Sequence, residues 1–84
     1  RSAVGITQDG KLVLFVCEGR EQTSDVPGMT LDQLARLMKA FGCVDALNLD
    51  GGGSSCMLIN GKETIKPCNK DHQQRPVATV LFAR

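Results

Sequence analysis

The sequence predicts an α/β chain of the α+β type, a mixed, largely antiparallel sheet with one packed amphipathic helix. Three observations carry this expectation. Two apolar, β-rich runs flank an Asp-Gly turn, one stretch combines helical spacing with a capping signal, and an Asn-Gly pair separates two further short runs. With 84 residues, 42% of them hydrophobic, the chain has material for one small core and one domain.

Ser2 to Thr7 and Leu12 to Cys17 are separated by Gln8-Asp9-Gly10-Lys11 and predict an antiparallel hairpin, because Asp-Gly favours the positive φ of a tight turn. The second run is apolar at every position, which predicts a central strand covered on both faces. From Glu18 to Gly28 the polar residues, Pro27 and Gly28 break any period, so this segment reads as an exposed loop. Thr30 and Gln33 have capping-box spacing, Asp32 lies in the first turn, Lys39 near the last, and Gly42 is placed to stop a helix. The spacing predicts a helix over Thr30 to Phe41. Its stripe of Leu31, Leu34, Ala35, Leu37, Met38 and Phe41 is suited to packing on a sheet, with Met38 and Phe41 in the core.

Val44 to Leu49 predicts a strand interrupted by Asp45 and Asn48 and joined to the helix through Gly42-Cys43. Ser55 to Ile59 and Lys62 to Lys66 flank Asn60-Gly61 and predict a second hairpin. Lys66 to Arg75 reads as a loop, and Val77 to Phe82 as a last apolar strand. One helix cannot cover both faces of such a sheet. The second face is therefore expected to be completed by an N-terminal half outside this sequence or by a partner chain, as in a homo-oligomer.

Ten basic and nine acidic residues leave a net charge of +1 without a basic run, and no Trp or Tyr is present to stack on bases, so nucleic acid is not an expected partner. Leu12 to Cys17, the longest apolar run, is far shorter than the ~20 residues that cross a bilayer. No membrane insertion is expected. The sequence opens at Arg1 without an initiator Met and alternates like a strand rather than a leader, which predicts a processed or excised segment. Cys17, Cys43, Cys56 and Cys68 lack the paired spacing of zinc or redox motifs, and no cofactor or metal set is legible. Cys17 and Cys56 fall in apolar runs as small hydrophobes, with disulfide pairing as the alternative.

The chemistry-bearing segment is Asp50-Gly51-Gly52-Gly53-Ser54. Consecutive glycines suit a tight turn or a close approach to a ligand, and successive amides in such a turn can face an anion. Taken alone, the same residues equally make a turn without a ligand. Asn48 and Asp50 have the period-2 spacing that sends both side chains from one face of a strand end. Gly-Lys-Ser/Thr does not follow, the spacing is not a dinucleotide fingerprint, and Ser54-Ser55-Cys56 does not form a serine elbow, so Ser54 is expected to donate a hydrogen bond. Glu18-Gly19-Arg20 ends the other apolar run. It makes either a local ion pair or, if that strand lies beside the one ending at Asp50, a second carboxylate facing Asp50 across a cleft, with Arg20 gripping a phosphate. Arg75, fixed in extended backbone by Pro76, either points at that cleft or is an ordinary surface side chain. His72 is expected to be solvated.

Arg1-Ser2-Ala3-Val4-Gly5, Glu18-Gly19-Arg20, Gly28-Met29-Thr30 with Leu34, Asn48-Leu49-Asp50-Gly51-Gly52-Gly53-Ser54-Ser55 and Arg75-Pro76-Val77 together resemble the phosphodiester glycosidase family, over nearly the whole chain. The resemblance implies hydrolysis of the bond between a sugar's anomeric carbon and a phosphodiester, in secreted or envelope-associated proteins, with this chain as the C-terminal half of the family domain. It also implies Asp50 and Glu18 as catalytic carboxylates, Glu18 standing where family members commonly have Asp. Arg20 and Arg75 are then expected on the phosphate, and Asn48, Gly51, Gly52, Gly53, Ser54 and Arg1 on the substrate. A non-catalytic carbohydrate- or anion-binding module is the alternative.

Overall fold

A computed structural model of the chain describes residues 1–20, 23–69 and 74–83. Strand β1 (Ser2–Thr7) is hydrogen-bonded on both edges, to β2 (Leu12–Val16) and to β3 (Cys43–Asn48), in the order β2-β1-β3. Both pairings are antiparallel: Ser2 faces Val16 and Ile6 faces Leu12 on one side, while Ala3 faces Asn48 and Ile6 faces Asp45 on the other. Two strands antiparallel to a common neighbour are parallel to each other. Hence β2 and β3 end at the same end of the sheet, where the ladder runs on through Cys17 N to Arg1 O at 3.0 Å and Leu49 N to Ser2 O at 2.8 Å.

The expected central strand, Leu12 to Cys17, is an edge strand; β1 holds the centre. Strand alternation gives the reason. Val13 and Phe15 pack toward the core, whereas Leu12 and Leu14 leave from the opposite face and are 56% and 39% exposed. An all-apolar run thus served a strand with only one covered face. Ile6 and Leu47 are likewise exposed.

Helix α1 (Leu31–Ala40) carries the expected capping box: Gln33 N donates to Thr30 Oγ1 at 3.1 Å and Thr30 N to Gln33 Oε1 at 2.8 Å. Leu34 and Met38 bury against Ala3, ringed by Val13, Phe15, Met29 and Cys43. The helix comes so close that a Cβ on Gly5 would meet Cys43 Sγ at 2.6 Å and Met38 Cε at 2.8 Å. Phe41, expected in the core, is the helix C-cap and half-exposed, its ring centroid 6.2 Å from that of Phe15. The four cysteines are free thiols, and Cys56 is exposed rather than packed in a strand.

The β1–β2 turn is wider than a two-residue loop, with Thr7 N bonded to Lys11 O at 2.9 Å and only Gly10 at positive φ (86°). Within it the Thr7 hydroxyl donates to Asp9 and is the main cause holding that carboxyl below its ordinary range. The second hairpin pairs β4 (Leu58–Ile59) with β5 (Lys62–Glu63). Asn60 and Gly61 sit at φ 53° and 79°, the pair of left-handed residues that a two-residue hairpin turn needs. The expected strand Val77 to Phe82 does not form. Both edges of β1 are already taken, the segment joins no other ladder, and Val77, Val80, Leu81 and Phe82 are exposed.

The fold is thus a small mixed α/β unit with antiparallel sheets and one helix. Met38→Ala is expected to lower stability by about 2–5 kcal/mol through the cavity it leaves. Thr30→Ala is expected to cost about 1 kcal/mol through loss of the cap. Urea titration of both variants checks the ranking, and equal costs would show that the core does not centre on Met38.

Candidate functional site

The parallel exit of β2 and β3 brings Glu18-Gly19-Arg20 and Asp50-Gly51-Gly52-Gly53 to one end of the sheet. A cleft of about 240 Å³ opens there, lined by Arg1, Glu18, Arg20, Gly52, Ser55 and Lys66 among others. Arg1 Nε donates to Met29 O at 3.0 Å, which ties that side chain to the loop before α1. The loop after β2 is folded back on itself, since Arg20 N donates to Pro27 O at 3.2 Å and a Cβ on Gly28 (φ 97°) would lie 3.0 Å from Gly19 Cα. Arg20 itself has φ 55°. For a residue with a Cβ that costs on the order of 1–3 kcal/mol and is seen where the surroundings enforce it.

Glu18 is engaged at both carboxylate oxygens, taking the Thr23 hydroxyl on Oε1 and Lys66 N on Oε2 at 3.0 Å. The second bond fastens the segment after β5 to the end of β2. Arg20 reaches the other strand end, its Nη2 lying 3.7 Å from the position a Gly52 Cβ would take.

At the end of β3, Asp50 is exposed, accepts Gly51 N on Oδ1 at 2.8 Å and takes the Ser2 hydroxyl on its backbone carbonyl at 2.6 Å. A single 3-10 turn, Gly52–Ser54, follows, closed by Ser54 N to Gly51 O and Ser55 N to Gly52 O, each 3.1 Å. The amides of Gly51, Ser54 and Ser55 are therefore spent inside the loop and do not form the unbroken row facing an anion that three glycines suggest. Gly52 has φ 58°, where only glycine is unstrained. Gly53 is buried, and Asn69 fills the space a Cβ would need there.

Residues 74 and 75 brace this turn from one side. Gln74 Nε2 donates to Gly53 O at 3.1 Å, and Arg75 donates to Ser54 Oγ from Nε at 3.0 Å and from Nη2 at 2.6 Å. Arg75 Nη2 also lies 3.4 Å from Gly51 O. Of the residues expected in the site, Arg1, Glu18, Arg20 and Gly52 line the cleft. Asn48, at the exposed end of β3, and Asp50, Gly51, Gly53, Ser54 and Arg75 lie outside that lining. His72 lies outside the described residues.

A family model described as phosphodiester glycosidase matches residues 1–84. The chain belongs to that family. Among curated proteins it is 35% identical over 88 residues to N-acetylglucosamine-1-phosphodiester alpha-N-acetylglucosaminidase of Mus musculus, covering 96% of this chain and 16% of that protein. The Homo sapiens protein of the same name matches at the same identity and coverage. A Bacillus subtilis protein named SPbeta prophage-derived uncharacterized protein YomE is 40% identical over 62 residues, 74% of this chain and 9% of its own length. The chain thus spans about a sixth of the length of the mammalian proteins it matches, 16%. No solved structure matches it.

Lys66 and Ser55 also line the cleft of this family member and were not among the expected site residues. Lys66 closed an expected strand and enters the cleft through its backbone bond to Glu18. Ser55 opened another, and no spacing marks its hydroxyl, yet it is buried in the cleft wall.

The three glycines are expected to differ in tolerance. Gly51→Ala, with extended backbone and open space around its Cβ, should leave the melting temperature near wild type. Gly53→Ala must displace Asn69 and is expected to cost about 1–3 kcal/mol, at about 4–8 °C per kcal/mol for a domain of this size. Thermal unfolding of the two variants checks the contrast, and equal melting temperatures would contradict the packing of Asn69 on the turn.

Proposed function

We propose that the protein containing this chain hydrolyses the bond between a sugar's anomeric carbon and a phosphodiester, and that the chain supplies the phosphate-binding end of that site. The observation that carries this reading is the meeting of the two strand ends. A family member whose Glu18-Gly19-Arg20 and glycine turn share one cleft has a carboxylate, guanidinium groups and a tight backbone turn within reach of one ligand. The names of the mammalian relatives specify an N-acetylglucosamine-1-phosphodiester, which makes a hexosamine attached through a phosphodiester the substrate class to try first. Family likeness also favours a secreted or envelope location, and no helix among the described residues is long and apolar enough to cross a membrane.

In the reaction, water adds its oxygen to the anomeric carbon, the bond from that carbon to the bridging oxygen breaks, and the proton ends on the departing phosphomonoester. Phosphate leaves readily, so holding its charge matters more than protonating it strongly. Arg20 serves that purpose at the cleft, and a planar guanidinium can take two phosphoryl oxygens at once. Asp50 is the carboxylate proposed to act on water or on the anomeric carbon. Gly51 N fixes its Oδ1, while its Oδ2 has no partner among the described residues. Glu18 is the second proposed carboxylate, oriented by Thr23 and Lys66 N.

Two observations favour the alternative, a carbohydrate- or anion-binding module without turnover. Asp50 is not part of the cleft lining, and both oxygens of Glu18 are engaged. Asp50→Asn in the full-length protein separates the readings. For a hydrolase, kcat on an N-acetylglucosamine-1-phosphodiester is expected to fall roughly a hundredfold to ten-thousandfold with folding unchanged. Full activity in this variant removes Asp50 from the chemistry, and wild-type protein that binds such esters without cleaving them establishes the module.

A further inference from the structure

The cleft wall contains a buried hydroxyl that no described residue bonds. Ser55 is 4% exposed and its Oγ has no hydrogen-bond partner among the described residues. Leaving such a group unpaired costs about 1–3 kcal/mol, and native folds keep few of them. The adjacent hydroxyl behaves differently. Ser54 Oγ takes two donated bonds from Arg75, which occupy its acceptor positions and brace the turn.

The residues around Ser55 indicate what would pair with it. Arg1, Arg20 and Lys66 line the same cleft, together with the Glu18 carboxylate, which accepts from Thr23 and from Lys66 N. A neutral sugar hydroxyl does not call for three cationic side chains. An anionic phosphoryl oxygen does, and it is an acceptor for which a serine hydroxyl is a donor.

We propose that Ser55 donates a hydrogen bond to a phosphoryl oxygen of the ligand, placing the phosphate beside Ser55 at the glycine turn, with Arg75, outside the cleft lining, acting only as a positioning residue through Ser54. The proposal rests on the reading of this cleft as a phosphate site and adds the residue that completes it. Ser55→Ala in the full-length protein tests it by two measurements. Titration calorimetry with inorganic phosphate should show affinity about ten- to a hundredfold weaker, the loss of one hydrogen bond to a charged group. Thermal unfolding without ligand should show an unchanged or raised melting temperature, because the unpaired buried hydroxyl is gone.

Wild-type phosphate affinity in Ser55→Ala overturns the proposal. So does a fall in the unliganded melting temperature, which would show that the hydroxyl has a partner in the free protein, or a wild-type protein that binds no phosphate. A protein that binds phosphate through Ser55 but hydrolyses no sugar phosphodiester refutes the hydrolase and retains the subsite. An active hydrolase whose phosphate affinity ignores Ser55 does the reverse.

Discussion

Antiparallel pairing of β1 to both of its neighbours is the constraint on which the rest of the molecule depends. It makes β2 and β3 parallel although no ladder joins them, and so discharges their following loops at one end of the sheet. The register is held from the helix side. Ala3 and Gly5 lie under α1, where Met38 leaves no room for a Cβ on residue 5. A slip of one residue would put Val4 or Ile6 there instead, so the packing of one methionine on one glycine fixes which residues arrive at the cleft.

The cleft itself is assembled from backbone that is held rather than free. Glu18 fastens the segment after β5, Asn69 packs on Gly53, and Gln74 with Arg75 bonds the glycine turn. Cationic side chains then stand around a small volume whose wall includes the buried Ser55. Groups held in place before a ligand arrives need not be ordered at its expense, which is the condition under which a charged site discriminates well.

Much of the secondary structure was legible because its signals are local. The capping residues Thr30 and Gln33 bound α1, and Asn60-Gly61 formed the turn its dipeptide demands. What failed was non-local. The apolar run from Leu12 could not reveal that its strand lies at an edge, since an unbroken apolar run does not say whether the second face is covered. Val77 to Phe82 has the composition of a strand but finds no ladder, and composition cannot supply a neighbour. At the site, the polar strand ends were readable from Glu18, Arg20 and the glycines. That Arg75 binds Ser54 and that Ser55 is buried depend on non-local packing around the turn, which no spacing encodes.

The central claim is that two strand ends form one ligand site. Amide chemical shifts of the full-length protein, followed by NMR as N-acetylglucosamine-1-phosphate is added, test it directly. Residues 18–20 and 50–55 are expected to shift together along one saturation curve. Shifts confined to one of these two loops, or falling on α1 and the β4–β5 hairpin instead, would contradict the account.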